Sequence, residues 1–331
     1  MSFVGKIIAP VFARVAYTLL KLVGWKRGTV LANAKYVAGA VLQANLGAVP
    51  DAVSVATQDA SNATPDALAA APICYEELLK NLTRHASELL FRFETFKRLP
   101  ADFSKYPCCV DGWDFALDEA AIPVLEKMRS GGIFLTAHYG NYEAMGPWLY
   151  RLGIPLVASY IPVKPKWLNN ILERKIRSVD GRSYSVDART PRDFLRILND
   201  GKLFCLLSDQ DSRIPSALPG TFLGRPVNIN PLPDFLLKHR PQTPVFICWM
   251  EERGASPEDA SLKCASLKKV RVLHAIEVVG ALSQIASSTE SCVVNSQFNK
   301  WLEQRIYENP NLWYSFTHRR FYSQTPEIYG E

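Results

Sequence analysis

The sequence predicts an α/β protein, with a mostly parallel central sheet flanked by helices and an N-terminal helical membrane-associating segment. Three observations carry this. From Gly131 onward short apolar runs alternate with amphipathic ones, the pattern of strands joined by covering helices. Residues 1–50 hold Lys6, Arg14, Lys21, Lys26, Arg27 and Lys35 and no Asp or Glu, although the whole chain carries 38 basic against 32 acidic residues. The excess of +6 therefore sits at one end, as in a segment lying against anionic lipid. With 331 residues, 48% hydrophobic and 21% charged, the composition excludes disorder and fibrous repeats. Seven cysteines show no C-x-x-C pair or zinc spacing, so no metal or other cofactor is expected, and a reducing, cytosol-facing compartment fits. No nucleic-acid partner is expected.

The chain divides into a membrane-associating segment (1–48), a helical connecting region (49–109) and an α/β domain (110–331). In 3–25, Lys6, Arg14 and Lys21 recur every seven or eight residues, which leaves Ile7, Ile8, Val11, Phe12, Val15, Leu19 and Leu22 as a wide apolar face. No apolar stretch reaches spanning length, so an in-plane amphipathic anchor is preferred over a tilted span. A helix packed on the protein's own core is the plain alternative. Residues 48–72 read as a loop or weak helix and 75–98 as a helix burying Leu78, Leu79, Leu82, Leu89, Leu90 and Phe93, with His85 as a surface or packing residue. Strands follow at 132–137, 154–161, 182–186, 203–208, 245–250 and 270–279. Helices follow at 142–152, 166–179, 191–199, 232–239 and 293–308, and 251–269 reads as an exposed hairpin excursion. Sites in such sheets gather at the carboxyl ends of the strands.

One histidine–acid pair stands at a strand end, in the stretch IFLTAHYGNYE at 133–143. Gly140 permits an unusual backbone angle, Asn141 suits an N-cap, and Glu143 falls in the first turn of the next helix. A carboxylate reaching back to one imidazole nitrogen of His138 fixes its tautomer and leaves the other nitrogen to accept a proton. No serine or cysteine adjoins His138, so an external hydroxyl is the simpler nucleophile. A buried histidine satisfied by a carboxylate is the structural alternative. Asp209 and Gln210 lie past another strand end, as a binding pair or a capped turn.

HYGNYE resembles the H-x4-D/E motif of the glycerolipid acyltransferase superfamily, and the wider pattern is similar to the late acyltransferases of lipid A biosynthesis, the lauroyl/myristoyl group. Lys26-Arg27 through Leu46 is similar to that family's basic, apolar segment, and 203–210 (LFCLLSDQ) to its strand ending in Asp-Gln. The run 221–226 (TFLGRP) resembles its Phe-x-Gly-x-Pro block, and 311–321 (NLWYSFTHRRF) its closing segment. One departure is Tyr160-Ile161-Pro162, where many members carry Tyr-Arg-Pro. Lys164, Lys166, Arg177 or Arg182 must then supply the missing cation.

The resemblance implies a glycerolipid acyltransferase-like fold at the cytoplasmic face of an inner membrane. It implies transfer of a fatty acyl chain from acyl carrier protein, or acyl-CoA, to a hydroxyl of a phosphorylated glycolipid of the lipid A type. His138 would be the general base and Glu143 its orienter. Lys164, Lys166, Asp209, Gln210, Arg225, Arg319 and Arg320 would bind substrate. Rival readings are an acyltransferase on another glycolipid or an aminolipid, and a non-catalytic lipid-binding member.

Overall fold

The computed structural model describes residues 2–44, 73–160, 162, 164–254, 269–278 and 292–330. The expected loop at 48–72, the departure at Ile161 and the 255–268 part of the polar excursion lie outside them.

Two helices open the chain, α1 (Ser2–Leu22) and α2 (Arg27–Ala44), and α3 (Tyr75–Lys97) packs along α1. A hairpin of β1 (Cys108–Val110) and β2 (Trp113–Leu117) then leads into α4 (Ile122–Met128) and β3 (Gly132–Thr136). Next come α5 (Tyr142–Arg151), β4 (Leu156–Ser159), α6 (Lys166–Ile171), three short strands β5 (Ser178–Val179), β6 (Arg182–Ser183) and β7 (Ser185–Val186), and α7 (Pro191–Asn199). The remainder is β8 (Leu203–Leu207), a hairpin of β9 (Leu218–Phe222) and β10 (Arg225–Ile229), α8 (Leu232–His239), β11 (Val245–Gly254), β12 (Lys269–Glu277) and α9 (Val293–Glu308).

Eight strands form one mixed sheet in the order β1-β2-β12-β11-β3-β8-β4-β7, parallel at all junctions except β1–β2 and β12–β11. β3 is flanked by strands on both sides and is buried at every position, which is why its sequence reads as an unbroken apolar run. Two apolar clusters cover the two faces of the sheet. One holds Ile133, Leu135, Phe204, Phe298 and Trp313, and the other Phe134, Phe115, Trp148 and Phe246. Successive residues 133, 134 and 135 alternate between them, as a pleated strand requires.

The alternating pattern located the helices 191–199, 232–239 and 293–308 to the residue. Three features differ from it. The β1–β2 and β9–β10 hairpins escaped the strand–helix pattern because neither carries a covering helix. The helix expected over 166–179 turns into a π-helical stretch at Leu172–Ile176 before Ser178–Val179 becomes a strand. β11 runs past residue 250 to Gly254, pairing with Lys269 of β12, so the first residues assigned to the excursion are strand.

The N-terminal helices are held unequally. α1 leaves Val11, Val15, Leu19 and Leu22 exposed. α2 instead buries Val30 and Val37, and its Asn33 Nδ2 donates to the carbonyls of Phe316 and His318, both at 2.8 Å. Among the described residues no single helix is long and apolar enough to cross a membrane. The pair Ile7–Leu22 and Arg27–Val37, bent by 80°, meets the length and composition only together. α3 packs on α5 as well as α1.

Candidate active site

The central junction of the sheet builds the site. β3 and β8 run parallel in register, with Thr136 opposite Leu207. His138 and Asp209 each lie two residues beyond that pair, so equal extension brings them to the same level at the carboxyl edge. The Asp209 Oδ1 is 2.8 Å from His138 Nδ1, and its Oδ2 accepts from the His138 backbone N–H at 3.0 Å. Trp313 Nε1 (2.9 Å) and Ser315 Oγ (2.7 Å) also donate to Oδ2. Asp209 is wholly buried. Burial favours its neutral form, but His138 and the hydroxyl and indole donors outweigh that and hold the carboxyl well below its usual range.

An ionised Asp209 at Nδ1 makes that nitrogen the protonated one, so Nε2 carries the free lone pair. Burial disfavours imidazolium, yet the adjoining Asp209 charge prevails and the His138 pKa is raised. The Tyr142 ring packs edge-on against the imidazole at 4.8 Å, and the His318 ring lies 6.2 Å away. Burial and the facing His138 lower the His318 pKa, which favours a neutral second ring.

The carboxylate on His138 is therefore Asp209 and not Glu143, a correction to the spacing argument. The helix α5 begins at Tyr142, and Glu143 leaves along its first turn toward Arg177, whose Nη2 donates to Glu143 Oε1 at 2.6 Å. Glu143 reaches the imidazole only through its field, which adds to the raised pKa. Gly140 does take the left-handed conformation, φ +60°, and a Cβ there would meet the Met250 carbonyl at 3.1 Å. Asn141 precedes the helix as expected, but its side chain makes no cap. It donates instead to Glu88 Oε2 at 3.1 Å.

That bond ties the loop to a buried ionic cluster between α3, β11 and β12. Arg84 Nη1 and Arg271 Nη2 each contact Glu88 Oε1 (both 3.2 Å) and Glu252 Oε1 (2.9 and 3.0 Å). His85, expected at the surface or in packing, is buried here against the Tyr314 hydroxyl. Burial and Arg84 push its pKa down to about 3, so it is neutral. The Tyr314 backbone N–H in turn donates to the His138 carbonyl at 2.8 Å. Among the described residues, His85, Glu88 and Glu252 are the one group with ligand atoms within 4.8 Å of one another. Two guanidiniums already neutralise those carboxylates, which is a poor setting for a cation.

The other expected binding residues scatter. Lys164 and Lys166 are exposed beyond β4, and Gln210 is exposed beside Asp209. Of the cations weighed for the departure at 161, Arg177 is the one beside the site, over the Tyr160 ring at 5.3 Å. Arg182 lies exposed on β6. Arg225 lies against α2, its Nε donating to the Tyr36 carbonyl at 2.7 Å and its guanidinium packing over that ring. Arg319 is exposed near the Tyr322 and Tyr329 rings. Arg320 is 1% exposed, walled in beside Phe222, so it meets no incoming ligand; its charge acts on Asp209 and Asp211 instead. Burial pushes its pKa down to about 10, against the opposing pull of Asp209 and Asp211.

Trp313 and Ser315 were missed as donors because an aromatic closing segment reads as core. The Cys205 thiol is no alternative nucleophile, since burial pushes it up to about 12. Among the described residues Cys109 stands in a disulfide, whereas the sequence alone favours a reducing compartment. No protein-family model and no curated protein matches the chain.

Proposed function

We propose that the protein is a membrane-associated O-acyltransferase that moves a fatty acyl chain from an acyl-thioester to a hydroxyl of a phosphorylated glycolipid, with a lipid A precursor as the leading acceptor. The observation that carries this is the bare Nε2 of His138, backed by a buried, fully hydrogen-bonded Asp209 at a strand end. It is the constellation of a general base without its own nucleophile, which suits an acceptor alcohol brought in by substrate.

In this reading His138 Nε2 takes the proton as the alcohol oxygen attacks the thioester carbonyl. The imidazolium then returns it to the departing thiolate. Asp209 stabilises the cation formed between those steps and holds the ring in one tautomer. Glu143 has a different part from the one its spacing suggested: it fixes Arg177 beside the site. There the guanidinium is placed to meet an anionic group, of the acceptor or of the donor's phosphopantetheine arm. The donor is acyl carrier protein, with acyl-CoA as the alternative. The exposed apolar row of α1, flanked by basic residues, supports docking at the cytoplasmic face of an inner membrane.

The test is direct. Purified protein is incubated with labelled acyl carrier protein or acyl-CoA and candidate glycolipid acceptors, and lipid products are weighed by mass spectrometry. One added acyl chain, lost in His138→Ala, is the expected result. Acyl transfer to water alone, or no acyl transfer from either donor, overturns the reading.

A further inference from the structure

The seam between α1 and α3 is pinned at both ends and hollow between. At one end Ser87 Oγ donates to the Ala9 carbonyl, and at the other Lys21 Nζ pairs with Glu76 at 2.9 Å. Between them lies a half-open cavity of about 470 Å³, within the size range of small-ligand pockets. Being open on one side, the cavity admits solvent until an apolar body displaces it. Its walls are mainly carbon, from Ala9, Ala13, Tyr17 and Trp113, and offer water few partners.

The polar part of the lining is one-sided. Arg14, Lys80, Arg84 and Arg92 face a single acid, Glu88, which Arg84 and Arg271 already neutralise. Among the described residues no carboxylate lies within ion-pair distance of Arg14 or Arg92. Arg92 packs over the Trp113 ring at 3.4 Å, and burial together with Arg271 lowers its pKa to about 10. Arg84 is paired with Glu88 and Glu252, and Arg92 donates to the Asp111 carbonyl at 2.9 Å, which leaves Arg14 as the exposed guanidinium without an ion pair. An apolar hollow with that cation at its rim and Arg92 beside it suits a ligand with a hydrocarbon body and an anionic head.

We infer that this cavity binds an anionic glycerophospholipid, one acyl chain lying in the α1–α3 seam and its phosphate meeting Arg14 and Arg92. The source is the bilayer, because the same helix presents Val11, Val15 and Leu19 outward beside the opening. The occupant is not the reacting lipid. None of His138, Glu143 and Asp209 lines the cavity, and Glu88 and Asn141 stand between it and the imidazole. The site thus goes beyond the proposed acyl transfer and does not require it.

The experiment uses the full chain and lipids that remain monomeric, so that neither catalysis nor vesicle docking is involved. Binding of dihexanoyl phosphatidylglycerol, dihexanoyl phosphatidylcholine and inorganic phosphate is measured by titration calorimetry and native mass spectrometry. Phosphatidylglycerol should bind one to one and about tenfold or more tighter than phosphatidylcholine, as a charge-assisted head contact requires, with phosphate alone undetectable. Arg14→Gln, at an exposed position free of ion pairs, should remove most of that preference while Arg192→Gln does not. Ala13→Trp should abolish binding by filling the seam; where it fails to fold, Arg14→Gln decides. Equal affinity for the two lipids, binding indifferent to Arg14→Gln, or no binding overturns the inference.

Discussion

The proposed chemistry rests on how one carboxylate is hydrogen-bonded. Asp209 accepts four hydrogen bonds, two from His138 and one each from Trp313 and Ser315, and so reaches the roughly four acceptor positions a carboxylate offers. Replacing it by Asn keeps the shape but puts an amide opposite Nδ1 and removes the charge. Asp209→Asn should therefore cost about 10³–10⁴-fold in acyl transfer, the scale of tautomer loss in hydrolytic triads. Glu143→Gln should cost less, because it acts on the imidazole only through its field; steady-state rates of the two variants check this order. The raised His138 pKa also sets the pH profile. The base must be unprotonated, so activity rises with pH through a value above the ordinary ~6.5 and reaches a plateau beyond it. Stability behaves differently. The depressed Asp209 pKa gives a contribution present above about pH 4 and lost as pH falls below that. Stability read by urea unfolding should therefore fall more steeply with acidification below about pH 4 in the parent than in Asp209→Asn.

Helix α3 matters to the site more than its amphipathic pattern suggested. That pattern marked Leu89, Leu90 and Phe93 for burial, yet Leu90 is exposed and the inward face carries Thr83, His85, Ser87 and Glu88. A periodicity count cannot see that polar residues will be buried when a partner cluster waits on β11 and β12. Glu88→Ala removes a carboxylate shared by Arg84, Arg271 and Asn141. The expected destabilisation is about 3 kcal/mol, since a buried guanidinium loses part of its compensation. Urea unfolding checks it, and Glu88→Gln, which can still accept from Asn141, should retain more activity than Glu88→Ala at matched folding. The strands β3 and β8 were legible as apolar runs. Their adjacency was not, because the residues that meet are 71 apart and nothing local records which strand lies beside which. For that reason the nearest acid in sequence, Glu143, stood in for the nearest acid in space.

Across the molecule, the sheet presents His138 and Asp209 at one edge, and α1 carries an exposed apolar row that the proposed function assigns to lipid. The basic excess of residues 1–50 was plain in the sequence, and so was the α1 apolar row. What the sequence did not reveal is that α2 is tied into the body through Asn33, so the two helices differ in kind. Docking should therefore depend on α1. Val15→Glu combined with Leu19→Glu should reduce flotation with anionic vesicles severalfold and leave the thermal midpoint nearly unchanged, since both side chains are exposed. A collapse of the midpoint instead would mean that this face is packed in solution.

The account depends on an imidazole made basic by a buried acid. Histidine-selective ¹⁵N NMR reads that directly through the tautomer and titration of His138. The account predicts a proton on Nδ1, a bare Nε2, a pKa above the ordinary histidine value, and a fall in that pKa in Asp209→Asn. An Nε2-protonated ring, or a titration that ignores the substitution, would contradict it.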